Sequence, residues 1–320
     1  MRLKLVPDGT KIDFMRVSRI GVIASITAVI ASIALFFAMG LNFGIDFRGG
    51  TMIEARTPQA ADLGIIRQAT GELGLGDVAV QEFGDPRDVL IRVETQPGDG
   101  DDQMAVVGLV QEAVSAAIPD TEFRRVEVVG PKVSGELVVE GALAIGLAVF
   151  AVLVYIWLRF EWQFSLGAVI ALVHDVALTI GVFSLVQLEF NLSIIAALLT
   201  IVGYSLNDTV VVFDRVRENL RRYKQMPLID LLNLSINETL SRTLMTSLTT
   251  LIALIALYVF GGEVIRGFTF AMIWGIVVGT YSSVFIAAAT LLRLGVKRDW
   301  STEDKPGAGP SGTNFSGAQV

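Results

Sequence analysis

The sequence predicts an α-helical integral membrane protein, six transmembrane helices with an external α+β ferredoxin-like domain between helices 1 and 2. Three observations carry that expectation. Hydrophobic residues make up 52% of the 320 and charged residues only 18%, against roughly 25% charged in an ordinary soluble domain. The apolar residues fall in runs long enough to cross a hydrocarbon core, which takes about 20 residues of helix. The acidic charge is concentrated in one region: residues 40–136 hold 17 acids and 8 bases, whereas the rest of the chain holds 15 acids and 17 bases.

Composition also excludes some chemistry. There is no cysteine, which removes disulfides, thiolate metal sites and cysteine nucleophiles. His174 is the single histidine, so no histidine set exists from which to build a metal site. An acidic external region is a poor partner for nucleic acid. No cofactor and no metal are expected.

The elements follow in order. Residues 1–19 form an N-terminal segment carrying Arg2, Lys4, Lys11, Arg16 and Arg19. The first span, 20–39, holds no charge. It is too long for a typical signal core and lacks a small-residue cleavage site, so it reads as retained. Residues 40–136 are the external domain. Five further spans follow at 137–158, 164–188, 190–213, 243–260 and 267–292, with a loop at 214–242 and a tail at 293–320. The 243–260 stretch is short, which places the true start of that helix earlier, around Ile236. Lys and Arg mark cytosolic segments. Arg159 lies between spans two and three; Arg215, Arg217, Arg221, Arg222 and Lys224 lie in the 214–242 loop. Arg293, Lys297 and Arg298 follow the last span, and the short loops on the other side hold only Arg266. Both termini are therefore expected in the cytosol. Residues 301–320, rich in Gly, Ser and Pro, have little to bury and read as a disordered tail.

Within the external domain, 51–56 reads as a strand and 60–73 as a helix with apolar Leu63, Ile66 and Leu73 on one face. Strands at 78–83 and 89–93 are separated by the turn Gly84-Asp85-Pro86. A second helix at 102–117 ends before Pro119, and 123–129 is the last strand. The β-α-β-β-α-β order is the ferredoxin-like pattern. That fold names no function. The scattered acids read as a solvated surface, which suits a module that touches another protein better than an enzyme.

Ionisable groups inside a bilayer are costly and usually face a partner or a water path. Asp208 is the clearest, with Asn207 beside it, six residues and so about 9 Å before Asp214. Asp175 lies near the middle of the third span next to His174, either as a proton carrier or as one half of a structural polar contact. Arg242 opens the fifth span, either as the charge partner of Asp208 or as a side chain reaching to the interface. Thr239, Thr243, Thr246 and Thr250 recur with Arg242 at helical spacing on one face. That stripe reads either as a hydrated proton path or as ordinary hydroxyl packing between helices. Gly275 and Gly279 form a G-x-x-x-G in the sixth span, a pattern suited to close helix contact. After the first span, Gly44, Gly49 and Gly50 permit a sharp turn that Asp46 and Arg48 would anchor at the interface.

Three stretches carry a family resemblance: Gly44-Ile45-Asp46-Phe47-Arg48-Gly49-Gly50, the run from Val202 through Asn207-Asp208 to Asn219, and Glu238-Thr239-Leu240-Ser241-Arg242-Thr243. Together they resemble the SecD/SecF family of accessory subunits of the bacterial Sec protein translocase, from residue 12 to about 298. The resemblance implies half of a twelve-span unit in the bacterial inner membrane, completed by SecD as a heterodimer. It further implies the SecYEG channel, the SecA motor and YajC as partners and a translocating preprotein as a contact; membrane lipid is expected from the residues themselves, at Arg215, Arg217, Arg221 and Arg222 after the fourth span. It implies use of the proton motive force; on the burial of charge in the spans, Asp208 is then expected to take up the proton and Arg242 to control its charge. The 202–219 run is also similar to transporters of the resistance-nodulation-division type, which usually carry two adjacent Asp there. Asn207 before Asp208 leaves one carboxylate for that step. Half of a small-molecule or lipid transporter is therefore the rival expectation. An intramembrane aspartyl protease is disfavoured, because Ser205, Leu206 and Asn207 stand where a Gly-x-Gly would precede Asp208.

Overall fold

The structure is a computed structural model that describes residue 7, residues 10–96 and residues 100–296. The segment expected to form a disordered tail, 301–320, lies outside the described residues, as do Arg2, Lys4, Lys297 and Arg298. Among the described residues, six helical stretches are long and apolar enough to cross a membrane. They are α1 (Phe14–Met39), α5 (Pro131–Arg159), α6 (Trp162–Val186), α7 (Leu192–Arg222), α8 (Leu228–Phe260) and a last stretch over Glu263–Leu294. That last stretch comprises α9 (Arg266–Ser282), a π segment over Ser283–Ala287 and α10 (Ala288–Leu294).

The helices outrun the hydrocarbon-sized segments. The 214–242 stretch, expected as a loop, is helical at both ends and leaves only 223–227 between α7 and α8. The reason is an apolar stripe that continues past the membrane. Val212, Val216 and Leu220 on α7 are buried with Leu232 and Ile236 on α8 in one cluster. Asn219 Nδ2 donates to Ser235 Oγ across that contact at 3.0 Å. Burial of these side chains rewards continued helix where polarity alone suggests a loop. The fifth helix accordingly starts at Leu228, before the expected Ile236. Helix ends are set locally: Asp13 caps α1, Asn191 caps α7, and Pro131 opens α5 without wasting a donor.

Outside the spans lie α2 (Ile45–Arg48), β1 (Gly50–Arg56), α3 (Leu63–Gly71), β2 (Val78–Phe83), β3 (Asp85–Val93), α4 (Gly100–Ala117) and β4 (Glu122–Val129). The sheet order is β2-β3-β1-β4 with every neighbouring pair antiparallel. This is the ferredoxin-like arrangement. Ile53, Val89 and Ile91 from one sheet face pack with Ile66 of α3 and Val110 and Val114 of α4. Alternation sends Met52, Glu54 and Leu90 to the opposite face. There they line a cleft of about 530 Å³ shared with Glu189, Tyr258 and Arg266 from the outer ends of the spans. The expected Gly84-Asp85-Pro86 turn contracts to Gly84 alone, and β3 begins at Asp85. Pro86 is tolerated because β3 pairs with β1 only from Asp88 onward.

The glycine-rich stretch is a single helical turn rather than a bare turn. The Gly44 N–H donates to Phe190 O at 2.9 Å, and the Phe190 N–H donates to Asn42 O at 2.7 Å. Asp46 Oδ2 accepts from the Leu192 N–H at 2.8 Å, placing a carboxylate on the free amides that begin α7. Arg48 contributes its carbonyl, which accepts from Thr95 Oγ1 at 3.2 Å, while its side chain stays exposed. Gly50 holds φ 111° against β3. The outer loop is also tied to the sheet by Arg92 Nη2 and Glu189 Oε2 at 2.9 Å.

Gly50→Ala would place a methyl against Val93 O in a left-handed conformation. It is expected to destabilise the chain by about 1–2 kcal/mol or more, read as a lowered melting temperature in detergent. Burial pushes the Glu189 carboxyl above its ordinary value, and the Arg92 guanidinium opposes that rise. A carboxyl raised in the folded state contributes stability while protonated and loses it as pH rises through the raised value. The difference in melting temperature between the parent chain and Glu189→Gln should therefore move in the variant's favour from acidic to neutral pH. A difference independent of pH would contradict this.

Candidate functional site

Among the described residues, two carboxyl groups are buried within the spans, and each is bonded by hydroxyls from other helices. Asp175 on α6 is 1% exposed. Its Oδ1 lies 2.9 Å from His174 Nδ1. Its Oδ2 accepts from Ser205 Oγ of α7 at 2.6 Å and from Ser282 Oγ of α9 at 2.8 Å. Asp208 on α7 is 6% exposed. Its Oδ1 accepts from Thr243 Oγ1 of α8 at 2.6 Å, and its Oδ2 accepts from Ser283 Oγ at 2.5 Å.

Ser282 and Ser283 are neighbours in sequence and serve different carboxylates. Successive helical residues point about 100° apart, so one hydroxyl faces α6 and the other α7. Ser283 also begins the π segment, a widening of the helix that recurs at functional sites. The close approach of α9 to α7 is made by the G-x-x-x-G: a methyl on Gly275 would strike Ile201, and one on Gly279 would come within 3.0 Å of Ser205 Cβ. The glycine spacing thus brings Ser205, Ser282 and Ser283 to the acids.

Ser282 and Ser283 each have a second acceptor for the hydroxyl proton. Ser282 Oγ is 3.1 Å from Gly279 O, and Ser283 Oγ is 3.0 Å from Thr280 O. A hydroxyl has one proton to give and lone pairs to receive. Beside an ionised carboxylate it donates to the carboxylate. Once the acid takes up a proton, the hydroxyl can accept from it and turn its own proton to the backbone. Ser282 and Ser283 can therefore stay hydrogen-bonded in either protonation state of the acid each one faces.

Of the residues picked out from sequence, the structure brings Asp208 and Thr243 together and gives Asp175 its own set of donors. Arg242 does not pair with Asp208. It is exposed, and the reason is helical phase: Thr243 takes the position facing α7, which turns the adjacent Arg242 away. Asn207 is likewise turned outward beside the buried Asp208. Thr239 and Thr246 spend their hydroxyls on their own helix, donating to Ser235 O at 3.0 Å and to Arg242 O at 3.1 Å. Gly44, Asp46, Arg48, Gly49 and Gly50 lie at the outer end of the spans, about 24 Å along α7 from Asp208. Ser205, Ser282 and Ser283 were not anticipated. Ser205 stands one turn before Asp208, and the serine pair follows Gly279 by three residues, which are the signals the sequence offered.

A ferredoxin-like domain outside six spans, with acids buried on hydroxyls between those spans, defines a polytopic membrane protein of the transport class. The chain matches the family described as protein export membrane protein SecD/SecF, C-terminal, over residues 109–297 and the SecD/SecF GG motif over residues 34–61. It is 50% identical to the protein translocase subunit SecF of Cereibacter sphaeroides, covering 98% of both chains. It is also 50% identical to that of Rhodobacter capsulatus, over 99% of this chain and 98% of the relative. The chain belongs to the SecD/SecF family. Among solved structures it resembles SecDF, a translocon-associated membrane protein from Thermus thermophilus, at TM-score 0.80 and 35% identity over 89% of this chain. It resembles SecDF in a super-membrane-facing form at TM-score 0.67 and 35% identity over 90% of this chain. It spans 39% of the length of each of those SecDF chains.

Ser283→Ala removes one of two hydroxyl donors from Asp208 and is expected to cost about 1–2 kcal/mol. In an Asp208→Asn background the cost should shrink by at least about 0.5 kcal/mol. Thermal unfolding in detergent across that double-mutant cycle measures the coupling; additive losses would show that the contact contributes nothing.

Proposed function

We propose that the chain is an accessory subunit of the Sec preprotein translocase that pairs with SecD and uses the proton motive force to help complete protein export across the inner membrane. The observation that carries this reading is Asp208: a carboxylate buried in the spans, held by hydroxyls of two other helices, in a chain of the SecD/SecF family. SecYEG, SecA and YajC are the partners this role calls for. The arginines concentrated at one membrane face favour cytosolic termini by the positive-inside rule.

The polar residues left facing outward support a paired state. Asn207 on α7 and Arg242 and Thr246 on α8 are exposed within or beside the spans. Such groups need protein or water against them rather than hydrocarbon. A second six-span half supplies that cover, and it brings its own groups to Arg242.

In this reading, ionised Asp208 draws Ser283 and Thr243 inward and so holds α9 and α8 against α7. Proton uptake removes that charge and weakens both bonds. α7 is unbroken from Asp208 to Leu192. Its N-terminus is bonded to Asp46, and the loop before it is tied to Arg92 of the sheet. A shift of α7 is thus passed to the external domain, whose cleft-facing surface would touch the emerging polypeptide. One proton moving through about 150 mV supplies roughly 3.5 kcal/mol, enough to shift a two-state equilibrium several-hundred-fold when fully coupled.

Reconstituted vesicles containing this chain, SecD, SecYEG and SecA test the proposal. Asp208→Asn should abolish stimulation of secretion by a proton gradient while leaving the ATP-driven component. Undiminished stimulation would remove Asp208 from the proton step.

A further inference from the structure

We infer that the cavity between the N-terminal end of α1 and α10 is a binding site for the headgroup of an anionic glycerophospholipid. The cavity measures about 550 Å³. Its polar rim is Arg16 and Arg19 of α1 and Arg293 of α10; its deeper wall includes Val22, Ile23 and Leu292.

Three arginines from the two ends of the chain line this one cavity. Among the described residues, none of the three side chains is paired with a carboxylate. The nearest acid in sequence, Asp13, is engaged elsewhere, accepting from the Arg16 N–H at 3.0 Å and from Asn233 Nδ2 at 2.8 Å. Like charges held together without a counter-charge call for an anion. Arginine's planar fork suits phosphate in particular.

The wall below the rim decides what kind of anion. One to two turns deeper on α1 the cationic residues give way to Val22 and Ile23. The outward face then continues apolar and uncovered, with Ile23 63%, Ile26 52% and Ile30 62% exposed. A free phosphate or a nucleotide would leave that track unused. A phospholipid matches both parts, phosphate on the rim and acyl chains along α1. Basic pockets between spans near the headgroup level are a recurring mode of anionic lipid recognition. This site is independent of the Asp208 reading.

The test uses the purified full-length chain in nanodiscs and detergent. Lipid retained through purification is quantified after exposure to equal amounts of phosphatidylglycerol and phosphatidylcholine. The parent chain is expected to retain phosphatidylglycerol preferentially and to gain melting temperature from it. The variant R16Q/R19Q/R293Q should lose that preference, on a scale of roughly 100-fold for three surface arginines. R16K/R19K/R293K, which keeps the charge, should retain part of it. R221Q/R222Q/K224Q removes equal charge from the α7–α8 end and should retain the preference in full. Equal loss in that control, or a glutamine variant that still prefers phosphatidylglycerol, would overturn the site. Inorganic phosphate stabilising the chain as well as phosphatidylglycerol does would overturn the lipid assignment.

Discussion

A carboxyl group buried in a hydrocarbon layer has to find its hydrogen-bond partners within the protein itself, and in this chain that demand shapes how the spans meet. Asp208 takes its donors from α8 and from the start of the π segment, and Asp175 takes its donors from α7 and α9. No single helix could supply these hydroxyls. The acids are therefore satisfied only when the four elements stand in one register, and the Gly275 and Gly279 contacts exist because Ser205 and Ser282 must both reach Asp175. Hydrophobic association within lipid offers little preference between registers; polar satisfaction supplies it.

The same helix that carries Asp208 carries the link to the outside. The α7 N-terminus is bonded to the one-turn helix that leaves α1, and the loop before it is tied to a sheet strand through Arg92 and Glu189. The phenylalanines at this junction reinforce it: Phe43, Phe47 and Phe190 meet with ring centroids 5.8–6.0 Å apart. Asp208 sits about midway along this 31-residue helix, whose N-terminus is joined to the domain. The bundle presents two different surfaces: one with Asn207, Arg242 and Thr246 exposed on α7 and α8, the other with three arginines lining a cavity beside the exposed apolar face of α1.

How much was legible follows from what each pattern depends on. The spans and the β-α-β-β-α-β order were readable because hydropathy and periodicity are local properties, and the sheet order followed from that element order. Span ends were less readable. Whether α7 and α8 continue beyond the membrane depends on Val216 and Leu220 meeting Leu232 and Ile236, partners that lie in a different helix. The glycine-rich stretch announced a tight backbone, but that Asp46 would serve the first amides of α7, 146 positions away, had no local sign.

By itself the sequence marked Asp175 and Asp208 as groups that need a partner or a water path, since both sit in apolar stretches. It also determined that α9 could pack closely, since Gly275 and Gly279 offer no side chain. Only the tertiary structure decided which groups answer the acids. The sequence favoured Arg242 for its charge, yet at 100° per residue the turn that aims Thr243 at Asp208 aims Arg242 away. Ser282 and Ser283 carry no charge and look like packing residues until the helix that bears them is set between α6 and α7. Helical phase and the proximity of distant helices, rather than residue type, chose the partners.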